Sequence, residues 1–257
     1  MSTSADPVLQ LTRVTKRFQA VEALVDVDLT VHRREVVALV GDNAAGKSTL
    51  ARVATGVYQP DSGAVSLGGD EVQLGSPAVA TRLGVASVFQ ELALCDNLDV
   101  VQNIFLGREV VQGGLLAEST MDRLARGYLD RLGARIPQLH TPLSSLSAGQ
   151  RQCVAIARSL VGSPRLVVLD EPTASLSVAQ TADVLTHIEN LREMGLGVVF
   201  ISHNLSDVRA VADRVEVLRH GRNNGSFDAS STSYEDIIAA ITGATRWRPV
   251  EDPGGVR

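Results

Sequence analysis

Gly41-Asp42-Asn43-Ala44-Ala45-Gly46-Lys47-Ser48-Thr49 has the spacing GxxxxGK[ST], a glycine turn with a lysine and two hydroxyls at its exit. Where such a turn opens a helix, free backbone N–H groups and the helix dipole favour an anion, so the run predicts a phosphate cradle. Lys47 would reach the β- and γ-phosphates of a nucleotide, and the Ser48 hydroxyl would ligate Mg²⁺. Kinases, GTPases and many ATPases share such a cradle, and an ordinary glycine turn entering a helix reads the same way by its letters. A second set of candidates is Leu166-Val167-Val168-Leu169-Asp170-Glu171, an apolar run delivering two carboxylates. Asp170 suits the Mg²⁺ shell, and Glu171 suits a base that orients or deprotonates the water attacking a γ-phosphate. In isolation this is also how a strand ends in a solvated acidic turn before Pro172. Beside a phosphate cradle the catalytic reading prevails.

These groups need elements to hold them. Residues 36–40, 165–169 and 197–201 are short β-branched runs without polar alternation, the pattern of central parallel strands buried on both faces. Residues 8–14 and 25–31 do alternate, which predicts a small antiparallel sheet with one wet face. Helical periodicity joins Leu50, Val53, Ala54 and Val57 after the cradle, then Cys153, Ile156, Ala157 and Leu160, then Val184, Ile188 and Leu191. Gly162 with Pro164 and then Gly195 end the last two helices. Strands alternating with helices predict an α/β fold with a parallel sheet and crossover helices. Between about residues 91 and 144 no buried strand is evident, and a helical subdomain is expected there.

The chain of 257 residues is 44% hydrophobic, enough for one large α/β domain. Its 24 basic and 29 acidic residues leave a net charge of -5, so there is no global basic field for nucleic acid, and none is expected as a partner. The two cysteines, Cys95 and Cys153, lie in apolar stretches without metal-ligand spacing and read as reduced packing residues. No apolar run approaches the ~20 residues of a membrane-spanning helix, and residues 1–7 lack a signal-peptide pattern. The expectation is a chain that stays in the cytoplasm, with any membrane role peripheral.

Leu146-Ser147-Ala148-Gly149-Gln150-Arg151-Gln152, shortly before Asp170, resembles the signature of the ABC ATPases. Physically, Ser147 and the N–H groups around Gly149 at a helix start make a second anion site, although Lys47 already serves the same phosphate. The resemblance implies that Ser147, Ala148, Gly149 and Gln150 meet the ATP held by another protomer, so that hydrolysis belongs to a nucleotide-sandwich dimer. It implies the P-loop ABC cassette fold: a mixed or parallel sheet core, an antiparallel β-subdomain, and a helical subdomain inserted at about 91–148 of a single domain spanning 5–245. Residues 246–257 are expected to form a flexible tail. Three further positions match the family. Gln90 resembles the glutamine that touches Mg²⁺ and the attacking water, His203 the histidine that contacts the γ-phosphate, and Phe18 the aromatic that stacks on adenine. A lone histidine at a strand end and a lone phenylalanine after a strand also occur as ordinary packing residues. ATP and Mg²⁺ are the cofactors implied.

Three letters depart from the family's pattern. Glycine is usual at Ala44 and Ala148, and aspartate is frequent at Ser177. If either alanine needs positive φ, its Cβ costs about 1 kcal/mol or more, and nucleotide handling is weakened without being abolished.

The run Gly41-Asp42-Asn43, the segment 88–92, Asn97-Leu-Asp-Val-Val-Gln-Asn-Ile-Phe-Leu-Gly107-Arg108-Glu109 and Glu171-Pro172-Thr173-Ala174 resemble the cassettes of bacterial monosaccharide (ribose, xylose, fructose) importers. Many of those carry two fused cassettes, where this chain has one. The implied partners are membrane-embedded permease subunits held at residues 97–109, a second copy of the cassette, and indirectly a periplasmic or extracellular sugar-binding protein. A soluble, non-transport ABC ATPase would need inserted arms, a coiled coil or basic tracts. An importer of another small solute, or an inactive regulatory cassette that kept Lys47, Asp170, Glu171 and His203, completes the alternatives.

Overall fold

In the computed structural model, residues 7–244 are described. The expected tail at 246–257 and the first residues of the chain lie outside them. Elements follow in the order β1 (Leu9–Phe18), β2 (Val21–Val31), β3 (Val36–Val40), α1 (Lys47–Ala54), β4 (Ser62–Leu67), β5 (Asp70–Glu71), α2 (Pro77–Arg82), β6 (Val85–Val88), α3 (Val100–Phe105), β7 (Val111–Gln112), β8 (Leu115–Leu116), α4 (Glu118–Arg131), α5 (Ala148–Ser159), β9 (Leu166–Asp170), α6 (Val178–Glu193), β10 (Gly197–Ile201), α7 (Leu205–Val211), β11 (Arg214–Arg219), β12 (Arg222–Asp228) and α8 (Tyr234–Thr242).

The central sheet runs β12-β11-β3-β10-β9-β6, parallel throughout except for the edge strand β12. All five residues of β3, of β9 and of β10 are buried, because both faces of the sheet are covered. Val36, Ala38, Val40, Val167, Leu169, Val198 and Phe200 pack with α3–α6 on one face. Val37, Leu39, Leu166, Val168, Val199 and Ile201 pack with α1 and the strands β1 and β2 on the other. Burying a Val, Leu, Ile or Phe contributes about 1.5–3 kcal/mol, so a polar residue at any of these positions would be costly, and none appears before Asp170. The antiparallel sheet β2-β1-β4-β5 keeps the alternation expected of one exposed face.

The helical segment between β6 and β9 contains α3, α4 and α5, together with one feature the periodicity did not indicate, a two-residue-per-strand hairpin of β7 and β8. A second difference concerns Val57. Helix α1 ends at Ala54, the chain turns at Gly56 with φ +73°, and Val57 lies beyond the apolar face, 40% exposed. Cys153 is buried and desolvation pushes its thiol up to about 12, as suits a packing residue, while Cys95 is half-buried and free.

Candidate functional site

The cradle is locked by close backbone approach. Gly46 caps α1 with φ +104°, and a Cβ there would lie 2.7 Å from the Ala23 carbonyl on β2 and 2.9 Å from Leu24 Cδ2. At Gly41 a Cβ would overlap the Leu218 carbonyl at the end of β11. The loop is also tied across: the Gly221 N–H donates to the Ala45 carbonyl at 3.1 Å, and the Val25 N–H to the Gly221 carbonyl at 2.8 Å. Asp42, Asn43 and Ala44 stay exposed at its rim, Ala45 is buried beneath them, and Thr49 is half-buried in α1.

Lys47 is buried, and its Nζ donates to the carbonyls of Gly41 at 2.8 Å and Asp42 at 2.9 Å. Burial lowers its pKa from 10.5, opposed by the nearby carboxylates of Glu171, Asp42 and Asp170. Ser48 Oγ approaches Asp170 Oδ1 at 3.5 Å. Burial raises the pKa of Asp170, opposed by the Ser48 contact and by Arg52 and Lys47. A hydroxyl and a carboxylate converging from α1 and the end of β9 are hard oxygen donors. They fit Mg²⁺, which takes one or two protein ligands and completes its shell with water and substrate phosphates.

Asp170 and Glu171 are adjacent in sequence but serve different partners. Glu171 leaves the strand with φ +52°, and its Oε2 lies 2.8 Å from His203 Nδ1, which comes from the end of β10. A carboxylate only accepts, so Nδ1 carries the proton. The His203 side chain is 70% exposed, open to a ligand on its other side. Gln90 is exposed two residues beyond β6. The C-terminal ends of β3, β6, β9 and β10 thus supply Lys47, Gln90, Asp170, Glu171 and His203, the rim at which open α/β sheets bind ligands.

Phe18 ends β1 and is 39% exposed, not sunk in the core. Tyr58 holds its ring edge-on, centroids 5.0 Å apart, and Lys16 Nζ lies 5.7 Å from the ring centre. Arg52 in turn lies over Tyr58 at 5.8 Å. Neither Tyr58 nor Arg52 was picked out by motif. Arg52 stands four residues after Ser48, on the same helix face, and that spacing was the available signal.

In the signature segment, Ser147, Gly149 and Gln150 line a cavity with Gly133, Arg135, Gln180 and His187. Ser147 caps α5, accepting from the Gln150 N–H at 3.2 Å while the Gln150 side chain accepts from the Ser147 N–H at 3.0 Å. Ala148 is the first helical residue of α5 and is not among the positive-φ positions, so the expected strain is absent there. Ala44 does carry it, with φ +61°. Ser177 caps α6 in the same way through Gln180, and Gly149 packs so closely on Gln180 that a Cβ would meet its Cγ at 2.9 Å.

Residues 24–174 match the ABC transporter family. The chain belongs to the ABC transporter family. The cassette is 40% identical, over 91% of its length, to a xylose/arabinose import ATP-binding protein of Sulfolobus acidocaldarius and covers 94% of that protein. It is also 40% identical, over 93% of its length, to a ribose import ATP-binding protein of Burkholderia ambifaria, of which it covers 47%. The cassette therefore spans about half the length of the ribose-import relative. Among solved structures, cbiO1 of Clostridium perfringens, part of the ABC transporter complex cbiONQ, superposes with a TM-score of 0.78 at 26% identity, covering 93% of this chain and 95% of that one. No helix among the described residues is long and apolar enough to cross a membrane.

Proposed function

We propose that this cassette binds and hydrolyses ATP to drive a monosaccharide importer, as one half of a nucleotide sandwich. The observation that carries the reading is the convergence of Lys47, the Ser48–Asp170 pair and the Glu171–His203 pair at the ends of neighbouring strands. In this reading the loop from Gly41 to Thr49 cradles the phosphates. Lys47 exchanges its two carbonyl contacts for phosphate oxygens, and Phe18 offers its exposed ring to the base. Ser48 and Asp170, with Gln90, would hold Mg²⁺, which when bound neutralises charge on the β- and γ-phosphates. Glu171 takes the proton of the attacking water, and His203, donating to Glu171 through Nδ1, would donate to the γ-phosphate through Nε2 when the ring is doubly protonated.

The anion site at Ser147, Ala148, Gly149 and Gln150 would take the ATP of a second cassette; Ser147, Gly149 and Gln150 line a cavity to which none of residues 41–49 contributes. The similarity to xylose/arabinose and ribose import ATP-binding proteins supports sugar import, and with it a membrane-embedded permease docked on the helical segment at the cytoplasmic face. A sugar-binding protein would act on the far side of the membrane.

The test is reconstitution of the cassette with the permease encoded beside it in liposomes. ATPase activity is expected to rise when sugar-loaded binding protein is added outside. Glu171→Gln is expected to retain ATP, stop hydrolysis and accumulate a dimer in gel filtration. An ATPase that responds to RNA or ribosomes and ignores permease and sugar would refute import, and an active Glu171→Gln variant would refute the base.

A further inference from the structure

The contact between Glu171 and His203 joins two loops 32 positions apart, and one of its members is 70% exposed. A single hydrogen bond with one member open to solvent contributes only about 0.5–1.5 kcal/mol net, so this pair does not fix its own geometry. Something buried has to hold the loops in register.

Asp207 lies in the first turn of α7 and is 7% exposed. Its Oδ2 accepts from the Thr173 hydroxyl at 2.8 Å, two residues after Glu171. Its Oδ1 accepts from Asn204 Nδ2 at 3.0 Å, one residue after His203. Thr173 is also buried, so this bond is shielded from water. Asn204 is itself pinned: its N–H donates to Ser202 Oγ at 3.0 Å, and its Oδ1 accepts from the Ser206 N–H at 3.0 Å. Each oxygen of one buried carboxylate thus holds one of the two loops. We infer that Asp207 is a positioning residue for the Glu171–His203 pair, setting the approach of carboxylate to imidazole without touching substrate.

This inference rests on the catalytic reading of that pair given above, and its consequences are specific. Asp207→Leu keeps the bulk but removes both acceptors, uncoupling the Thr173 loop from Asn204, which keeps only its bonds to Ser202 and Ser206. A misplacement of about 1 Å at a reacting group costs on the order of 100-fold in rate. Asp207→Asn can restore both bonds, since its Oδ1 accepts from Asn204 while its amide donates to Thr173 Oγ1, a hydroxyl able to rotate. Thr173→Val cuts one bond only.

The experiment measures ATPase kinetics for the three variants with ATP titrations, and the His203 ring by ¹⁵N NMR above the imidazole titration range, assigned with a His203→Ala sample. Asp207→Leu is expected to lower kcat ~10- to 100-fold with the KM for ATP within about 3-fold, and Thr173→Val to fall between it and the native protein. Asp207→Asn is expected within about 3-fold of native. His203 is expected to show the Nδ1–H tautomer in the native protein and in Asp207→Asn, and to lose it in Asp207→Leu. Should Asp207→Leu fail to fold, Thr173→Val and its tautomer spectrum decide. A native rate or tautomer in Asp207→Leu and Thr173→Val, or a dead Asp207→Asn, overturns the inference. The tautomer reports the contact whatever chemistry Glu171 performs. An active Glu171→Gln variant would therefore refute the catalytic reading while leaving the role of Asp207 in the contact open to the spectrum.

Discussion

Replacing Lys47 by methionine tests the cradle. The unbranched stem is kept, so packing changes little, while the ammonium is lost. Lys47 Nζ rests on the carbonyls of Gly41 and Asp42, at 2.8 and 2.9 Å, in a buried position. Its loss has two opposed effects on stability: the desolvation that lowers its pKa is relieved, and two carbonyls lose a donor. The Asp42 carbonyl retains the Ala45 N–H at 3.1 Å, so the net change is expected to stay within about 1 kcal/mol, or ~2–4 °C in Tm. Affinity behaves differently. One charge-assisted hydrogen bond contributes about 1.5–3 kcal/mol, so MgATP binding is expected to weaken roughly 10- to 150-fold. Isothermal titration beside a thermal melt measures both. The native protein adds a second signature: because burial lowers the pKa of Lys47 despite Glu171, Asp42 and Asp170, its affinity should fall as pH rises toward that lowered value. The methionine variant should show no such fall. An affinity loss below 3-fold, or one matched by a collapse in Tm, refutes the reasoning.

Ala44→Gly relieves a φ of +61°; the left-handed conformation costs an alanine about 1–2 kcal/mol and glycine loses about 0.5–1 kcal/mol of chain entropy, so a net gain of about 0.5–1 kcal/mol is expected. A urea or thermal melt that shows a loss instead contradicts it. His140 bridges Asp99 at 3.0 Å and Asp122 at 3.2 Å, tying the cap of α3 to α4, and these bonds raise its pKa above 6.5. With the folded value above the unfolded one, the stabilising contribution is fully present below the unfolded pKa and lost as pH rises through the raised value. Melting midpoints recorded across that window are expected to decline in the native protein and to flatten in His140→Ala; equal slopes would remove His140 from the account.

Legibility in the sequence followed the range of the interactions. The cradle was readable because its letters fall in one nine-residue run whose N–H groups and side chains act locally, although the contacts that demand glycine at Gly46 and Gly41 come from Ala23 and Leu218, distant in sequence. The central strands were readable because burial on both faces erases alternation, and β3, β9 and β10 are buried at every position. The β7–β8 hairpin escaped because two residues per strand leave no period to detect, although Gly113-Gly114 marks its turn, both with positive φ. Comparing letters treated Ala44 and Ala148 alike, yet one sits at a left-handed position and the other in a helical first turn, where a Cβ is tolerated. Asp207 could not be read at all, since its partners Thr173 and Asn204 meet only after β9 and β10 pair.

The two consecutive carboxylates show how the strand end itself does the sorting. Leu166 and Val168 face α1 and the antiparallel sheet, while Val167 and Leu169 face the helices α3–α6. Asp170 continues the first set, which brings it to Ser48 in α1. Had the strand run one residue further, alternation would have aimed Glu171 into the apolar helical layer, where an unpaired carboxylate is costly to bury. The left-handed φ of +52° ends the strand there instead and delivers the side chain to His203 at the rim. A non-glycine residue in that conformation costs on the order of 1 kcal/mol and persists only where its surroundings over-determine it. Here the Glu171 N–H donates to the Ile201 carbonyl at 3.0 Å and the Ala174 N–H to the Glu171 carbonyl at 3.2 Å, so both backbone groups of the strained residue are engaged. Glycine at this position would remove the strain together with the carboxylate. The strain therefore accompanies the placement of the candidate base, whereas at Ala44 it can be removed without losing a candidate reacting group.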